Sequence, residues 1–279
     1  MPDRESPWIH ELTWPEIEAY LQQGDLALIP IGATEQHGTH TPLMVDTAWA
    51  IAAAEGAGRR AGVLAAPPMH FGWSPHHLAF PGAITLRPET LTQVIVDVCQ
   101  SLMVHGFKKF VLVNGNRVAN LAPMEIAAAK LRYRHDAFAA VVDVGLIARR
   151  EVHEICGGEA GALGHAGDSE TSFMLHYLPH LVEMSNAVSG VAAGGGNPRM
   201  FAEHWISMEP PHDQNAVLLR PSLEEYRQAS EPSGTGGNPM TANAEKGARI
   251  LDAIVTNTVA FIDEVRDRPV TLRDVEFPI

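Results

Sequence analysis

The sequence predicts an α/β fold with a mostly parallel sheet that is covered by helices on both faces. Short apolar runs alternate with longer helical patterns along the chain, which is the order expected of strand–helix–strand units. The apolar runs show no polar alternation, as expected for strands buried on both faces. With 279 residues, 46% of them hydrophobic, the chain can bury one large core. We therefore expect a single domain over residues 1–279, with an irregular loop region at about 185–240 that is rich in Gly, Pro and Ser.

The predicted elements follow one another with recognisable boundaries. The first helix, over residues 13–22, has Thr13 as its N-cap, Pro15 in its first turn and Glu16 at the third helical position. A buried strand is predicted at 25–31, in "DLALIPI". The remaining elements are an alanine-rich helix (46–62), a strand (63–69), a helix closed by Gly106 (87–106), a strand (108–116), a helix (120–134), a strand (137–145) and two later helices (168–179 and 242–267).

Composition excludes several classes of partner. The formal net charge is −13 and the chain has no stripe of Lys and Arg, so nucleic acid and anionic membranes are poor partners. No apolar run is long enough to span a membrane, and the first residues lack the apolar segment of a signal peptide. Cys99 and Cys156 are too few for a disulfide framework. We expect a soluble, cytoplasmic protein.

A polar cluster follows the first predicted strand, in "GATEQHGTHTPLMVD" (32–46). Carboxylates and imidazoles are good ligands for Zn²⁺ and Mn²⁺, and Glu35 and His37 point the same way if the backbone there is extended. Asp46 opens the next helix, where a carboxylate is also a natural N-cap. His40 is interpreted more simply as a solvated loop histidine. The cluster favours a metal site without establishing it.

Two further segments carry chemically useful residues. "GHAGDSETS" (164–172) places His165, Asp168 and Glu170 among small residues at the start of a helix, where acids are also common because they complement the helix dipole. "GWSPHH" (72–77), with Trp73, His76 and His77, is a plausible substrate-facing loop, although a core or rim role for Trp73 is nearly as plausible. Trp205, in the irregular region, is a weaker candidate for a lid residue.

Taken in order, five segments resemble the creatininase (creatinine amidohydrolase) family. They are "EQHGTHTPLMVD", "GWSPHHLAFPGAITL", "VLVNGN", "GHAGDSETS" and "GGNPMTANAEKG". The similarity runs from about Leu12 to Glu264. It implies a three-layer α/β/α sandwich, a homohexamer, and a hydrolase that acts on a small molecule at C–N bonds other than peptide bonds. It also implies one or two divalent metal ions per subunit, Zn²⁺ or Mn²⁺.

The resemblance implies roles for individual residues. Glu35, His37 and Asp46 correspond to metal ligands, with Asp46 shared between two ions. Glu170 corresponds to a further ligand or an acid beside the metal. His165 corresponds to the acid/base that serves the ring-opening step.

The chain departs from the family pattern after the strand predicted at 108–116. Asn116 stands where most members have a metal-binding histidine, and Val118 stands where creatininase has a carboxylate ligand. An amide is a weaker, neutral donor, so the site could shrink to one metal. Alternatively, Arg117 could act there as a fixed cation that binds a carboxylate or an oxyanion; the two outcomes are compatible. The simpler interpretation of Arg117 is a salt bridge to a neighbouring acid.

We therefore expect a metal-dependent hydrolase that uses metal-activated water to open a small cyclic amide. In this scheme His165 delivers a proton to the leaving group, and Asn116 and Arg117 contact the substrate. One alternative is a hydrolase that opens a lactone or a cyclic ketone or keto-polyol on the same scaffold. A second alternative is a homologue that has lost its catalytic activity.

Overall fold

Four parallel strands form the central sheet, in the order β2–β1–β3–β4. The computed structural model describes residues 6–117, 119–158, 161–190, 206–207, 217–218 and 220–270. The strands are β1 (Leu26–Ile31), β2 (Leu64–Ala65), β3 (Lys109–Asn114) and β4 (Phe138–Asp143). Ile31 pairs with Asn114, and Asn114 pairs with Asp143, so the three longer strands end at one level. The polar segments that follow β1 and β3 therefore start side by side at the carboxyl edge of the sheet.

Helices cover both faces of this sheet, as predicted. They are α1 (Trp14–Leu21), α2 (Val45–Ala61), α3 (Pro88–Met103), α4 (Leu121–Arg134), α5 (Arg149–Ile155), α6 (Asp168–Tyr177), α7 (Leu223–Ser230) and α8 (Ala244–Val265). Side chains of α2, α5, α6 and α8 pack with one face of the sheet in a first core, which includes Leu28 and Val111. Side chains of α1, α3 and α4 pack with the other face, which includes Ile29 and Leu112. The prediction of a three-layer α/β/α arrangement is confirmed.

The start of α1 shows how local sequence sets an element boundary. Thr13 is the N-cap, and the backbone N–H of Thr13 donates to Glu16 Oε2 at 2.7 Å in a reciprocal capping box. Pro15 lies in the first turn, where its missing N–H costs nothing. The prediction made from these three residues is confirmed.

Four local predictions were wrong. The strand expected at 63–69 is only two residues long, since Pro67 and Pro68 have no N–H to extend the ladder. Asp46 is not an N-cap, because α2 begins at Val45 with Met44 before it. His40 is not solvated: it is buried, and its Nε2 lies 2.8 Å from Thr171 Oγ1.

The region at 185–240 is not wholly irregular, which is the fourth correction. It contains α7, and the two-residue strands β5 (Ile206–Ser207) and β6 (Val217–Leu218) pair in parallel. A capping box formed by Ser222 and Glu225 starts α7. Trp205 and Val118 lie outside the described residues. Within the described part of the chain, no helix combines the length and the apolar character needed to cross a bilayer.

The end of β3 lies directly against the start of α2. A Cβ at Gly115 would be 1.9 Å from the carbonyl oxygen of Asp46, so any residue with a side chain would force the two segments apart. This contact between backbones places Asn116 beside the Asp46 side chain.

Candidate metal centre

The predicted ligands come together at the carboxyl edge of the sheet. Glu35 and His37 lie in the loop after β1, Asp46 is in the first turn of α2, and Glu170 is in the first turn of α6. Three sets of side chains have ligand atoms within 4.8 Å of one another: Glu35, His37 and Asp46; His37, His165 and Glu170; Glu35, His77 and His165. Residues more than a hundred positions apart thus share one buried cluster.

His37 lies between two carboxylates. Its Nε2 is 3.3 Å from Asp46 Oδ1 and 3.7 Å from Glu170 Oε2. Ligands about 2.0–2.1 Å from a tetrahedral ion lie about 3.3 Å from one another, so His37 Nε2 and Asp46 Oδ1 already have the spacing of two ligands of one cation. Nε2 is buried and has no hydrogen-bond partner among the described residues.

The contact made by His37 Nδ1 indicates which ring nitrogen can bind a cation. Nδ1 lies 3.3 Å from the backbone carbonyl oxygen of Glu35, which can accept a hydrogen bond from a ring N–H. Such a contact directs the lone pair of Nε2 towards the two carboxylates. Burial lowers the pKa of His37, but the charge and close contact of the Asp46 carboxylate, followed by the charges of Glu170 and Glu35, outweigh it and raise the pKa to about 10. The cluster therefore attracts positive charge, and a cation fits the donor set.

Asn116 contacts both carboxylates on the other side of the cluster. Its Nδ2 donates to Glu35 Oε2 at 2.7 Å and to Asp46 Oδ2 at 3.0 Å. Its Oδ1 accepts the backbone N–H of Ala119 at 3.1 Å, which fixes the orientation of the amide. Asn116 thus presents donors, not its oxygen, to the predicted ligands.

Glu35 has polar contacts at both of its oxygens. Oε2 accepts from Asn116, and Oε1 lies 3.1 Å from His77 Nε2. His77 Nε2 is also 3.2 Å from the hydroxyl of Tyr226. Burial, followed by the charge of Asp46, raises the pKa of Glu35 well above its usual value.

His165 lies between the two sides of the cluster. Its ring centroid is 4.4 Å from that of His37 and 4.8 Å from that of His77. Its Nε2 is 2.7 Å from the backbone carbonyl oxygen of Gln36 and 3.0 Å from the side-chain amide nitrogen of the same residue. Burial and then the neighbouring His37 hold the pKa of His165 well below its ordinary value. His165 is therefore a neutral imidazole held against Gln36.

The backbone just before α6 orients the Glu170 side chain. Its Oε2 accepts the backbone N–H of Ala166 at 2.6 Å. Ala166 has a φ of 53°, in the left-handed region that residues other than glycine seldom adopt. Burial raises the pKa of Glu170, with the charge of His37 acting in the opposite direction.

A cavity of about 140 Å³ opens beside these side chains. Its lining includes Glu35, Asp46, His76, His77, Asn116, Arg117, Val144, Leu163, His165, Glu170 and Tyr226. Trp73 is not among the residues that line it; Trp73 packs against the second core, with the Arg220 guanidinium 5.1 Å from its ring centroid. Of the residues predicted to contact substrate, His76, Asn116 and Arg117 face this space.

Arg117 lies among acids at the cavity wall. Burial raises the pKa of Asp143 to about 6, while the charge of Arg117 opposes that rise. Burial likewise raises the pKa of Glu170, and the charge of Arg117 is among the charges that oppose that rise. The two interpretations of Arg117, a partner for neighbouring acids and a fixed cation at the site, are therefore compatible in this structure.

Sequence reasoning missed Tyr226 and underestimated His77. His77 was predicted only to face the substrate together with His76; both histidines lie in the short helix Pro75–Ala79 and both are buried. Tyr226 carries no sequence signal, because it comes from α7 and contacts the rings of His76 and His77 only in the folded chain. The pair "HH" in "GWSPHH" was the one available signal.

Comparison with known proteins identifies the family. A family model described as Creatininase, creatinine amidohydrolase, matches residues 10–262. The chain belongs to the creatininase family. It is 30% identical over 277 residues to a creatinine amidohydrolase from Pseudomonas putida, covering 93% of this chain and 97% of that protein. The expectation of a creatininase-family hydrolase, from a family of metal-dependent amidohydrolases, is confirmed.

Other relatives differ in their named substrates. The chain is 32% identical to the mycofactocin precursor peptide peptidase of Mycobacterium ulcerans (strain Agy99), covering 90% of this chain and 85% of that protein. It is 25% identical to the 3-dehydro-scyllo-inosose hydrolase of Thermotoga maritima, covering 94% and 84%. The family is therefore clear, while the substrate differs among its members.

Solved creatininase structures share the fold. A crystal structure of creatininase superposes with a TM-score of 0.74 at 29% identity, covering 95% of this chain and all of that chain. A mutant creatininase described as "Zn-Zn type" has a TM-score of 0.74 at 28% identity, covering 94% and 99%. A further structure, described as "Creatininase Mn", has a TM-score of 0.73 at 28% identity, covering 94% and 100%. Zinc and manganese are thus bound by homologous structures.

Proposed function

We propose that this protein opens a small cyclic amide by metal-dependent hydrolysis. The observation that carries the proposal is the position of His37 Nε2, a buried atom without a hydrogen-bond partner in the described chain that faces Asp46 and Glu170 at 3.3 and 3.7 Å. A buried imidazole nitrogen between two carboxylates is costly without a proton or a metal ion. The ligands are drawn from Glu35, His37, Asp46 and Glu170. A bound Zn²⁺ or Mn²⁺ would act as a Lewis acid and make water acidic enough to lose a proton near neutral pH.

His165 is the proposed acid/base. It is neutral, its Nε2 is hydrogen-bonded to Gln36, and its ring lines the cavity, so Nδ1 can accept a proton from the attacking water. The same atom then gives that proton to the nitrogen that leaves as the ring opens. The hydrogen bond to Gln36 holds the imidazole plane fixed through both steps.

Arg117 is the proposed binding group for the substrate carbonyl or a substrate carboxylate. It lines the cavity and is close enough to Glu170 to influence that residue's pKa. A guanidinium there can donate to an oxygen on which negative charge develops during attack. His76 and Tyr226 also line the cavity, with ring centroids 4.7 Å apart.

The size of the cavity favours a small ring. Pockets for drug-sized ligands measure about 300–1,000 Å³, whereas this cavity is about 140 Å³. A single five- or six-membered ring suits such a space better than an extended peptide. The polar groups on its wall suit a substrate with a carbonyl group and ring nitrogen.

A cyclic ketone or keto-polyol is the second candidate substrate class. The similarity to the Thermotoga maritima 3-dehydro-scyllo-inosose hydrolase supports it. Water would attack in the same way, but the leaving atom would be carbon, and Arg117 would neutralise the enolate or carboxylate that forms. The hexameric assembly and the cytoplasmic location stay predictions.

A substrate screen on metal-depleted and metal-restored protein tests the proposal. The panel contains lactams, cyclic imides, lactones, cyclic keto-polyols and a short peptide. We expect turnover of a cyclic amide that disappears with chelator and returns with Zn²⁺ or Mn²⁺. Turnover confined to a keto-polyol would favour the second candidate. Cleavage of the peptide alone, or turnover that is indifferent to chelator, would refute both.

A further inference from the structure

We infer that this chain holds one metal ion rather than two, because the Asn116 carboxamide occupies the place between Glu35 and Asp46 that a second cation would take. The inference rests on the proposed metal site and refines its composition. It begins from the contrast with the homologous creatininase described as "Zn-Zn type".

The orientation of the Asn116 amide is fixed by its own contacts. The Ala119 N–H needs an acceptor, and Asn116 Oδ1 provides it at 3.1 Å. The amide nitrogen must then face Glu35 and Asp46, and its two N–H groups reach one oxygen of each, at 2.7 and 3.0 Å. Rotating the amide to offer an oxygen to a cation would leave the buried Ala119 N–H without this bond.

An amide group with two donors can replace a cation between two buried carboxylates. It satisfies one oxygen of Glu35 and one oxygen of Asp46 without adding charge. The other oxygen of Glu35 lies 3.1 Å from His77 Nε2, so both oxygens of this carboxylate have polar neighbours. A second cation at Glu35 would therefore have to displace the Asn116 amide from Oε2 or His77 from the vicinity of Oε1.

A second ion is not accommodated by Glu35, His77 and His165 either. His165 Nε2 is 2.7 Å from the Gln36 carbonyl oxygen, and His77 Nε2 is 3.2 Å from the Tyr226 hydroxyl. Binding a cation there would displace these contacts in a buried setting. The single ion is left to the side of the cluster where His37 Nε2 lies 3.3 Å from Asp46 Oδ1 and 3.7 Å from Glu170 Oε2.

Metal stoichiometry and manganese spectroscopy test this inference without substrate. The protein is loaded with excess MnCl₂ and desalted; elemental analysis then gives ions per chain, and electron paramagnetic resonance separates isolated ions from coupled pairs. We expect one ion per wild-type chain, with the six-line signal of isolated Mn²⁺. Asn116→His and Asn116→Asp remove the two donors and supply a ligand, so we expect a second ion and a coupled signal.

Matched controls make each outcome decisive. Gln93→His adds a histidine on the exposed face of α3 and should stay at one ion. Asn116→Asp is nearly isosteric and remains informative if the histidine variant does not fold, which circular dichroism checks. Two ions per wild-type chain, or one ion in folded Asn116 variants, would overturn the inference and leave the proposed function intact. No ion in the wild-type chain would instead refute the metal-dependent function itself.

Discussion

Two sides of one buried site use the same residue types in opposite ways. On the first side, His37 Nε2 faces the carboxylates of Asp46 and Glu170, and no donor of the described chain meets that nitrogen. On the second side, Glu35 meets the Asn116 amide at one oxygen and lies near His77 at the other. Because buried polar groups are normally hydrogen-bonded, the first side is where a ligand is needed.

The difference shows that acids and histidines in a cluster do not all have the same task. Composition alone would assign Glu35 and Glu170 the same role. The contacts separate them, since Glu35 has polar neighbours at both oxygens, whereas Glu170 Oε2 accepts the Ala166 N–H and also faces His37 Nε2.

Metal removal should produce the largest effect. Chelation is expected to abolish hydrolysis, because His165 and Arg117 cannot activate water alone. At a metal concentration a thousandfold above the dissociation constant, the ion should stabilise the fold by about 4 kcal/mol. Thermal melts with chelator and with added Mn²⁺ measure this; identical melting curves would contradict a resident ion.

Replacing one acid or imidazole from each side tests the contrast directly. His37→Ala should weaken metal binding by about a thousandfold, or about 4 kcal/mol, because it removes a ligand. Glu35→Gln keeps the shape and one acceptor oxygen, so its loss should be about ten- to a hundredfold at most. Isothermal titration with Mn²⁺ compares the affinities of the two variants. Equal losses of affinity would show that the two sides do not differ in their contribution to metal binding.

Asp143 extends the contrast to an acid outside the metal cluster. Its oxygens accept from Asn114 Nδ2 at 2.7 Å and from the Gly145 N–H at 3.0 Å. Burial raises its pKa from 3.8 to about 6, so between these values the folded protein retains a proton that the unfolded chain releases. The free energy of unfolding should therefore fall as pH rises through this window, by no more than about 3 kcal/mol.

Urea unfolding between pH 4 and pH 7 measures that contribution. Asp143→Asn should remove this part of the pH slope, and exposed Asp97→Asn should leave it in place. A slope unchanged by Asp143→Asn would mean that another buried group is responsible.

Arg117→Lys should have the smallest effect. The charge remains, but a lysine cannot donate through a planar fork, so kcat/KM should fall about tenfold, or about 1.4 kcal/mol. Metal stoichiometry should not change. A change in stoichiometry would mean that Arg117 helps to form the metal site around His37, and that binding substrate is not its main role.

Much of the fold could be predicted from local sequence. The short-range signals include the capping box of Thr13 and Glu16, the apolar run of β1, and Gly106 shortly after α3. The helix α7 was missed because its flanks are rich in Gly and Pro, and its stabilising contacts come from distant residues. Tyr226 meets His77 across 149 positions, a distance that no local pattern reports.

The site was only partly predictable for the same reason. Motifs indicated that Glu35, His37, Asp46 and Glu170 belong together, and the structure brings them together, although their roles as ligands stay predictions. The sequence identified Asn116 as a substitution but could not show which way its amide points. That direction depends on the Ala119 N–H, a backbone donor whose position only the folded chain defines.

The left-handed backbone at Ala166 has a consequence for the entropy of binding. A residue with a Cβ in this conformation costs about 1–2 kcal/mol, yet it aims one amide N–H at Glu170 Oε2. A glutamate that is ordered on binding loses up to about 2 kcal/mol of rotamer freedom. Because folding has already immobilised Glu170, an arriving ion meets a carboxylate that has little rotational freedom left to lose.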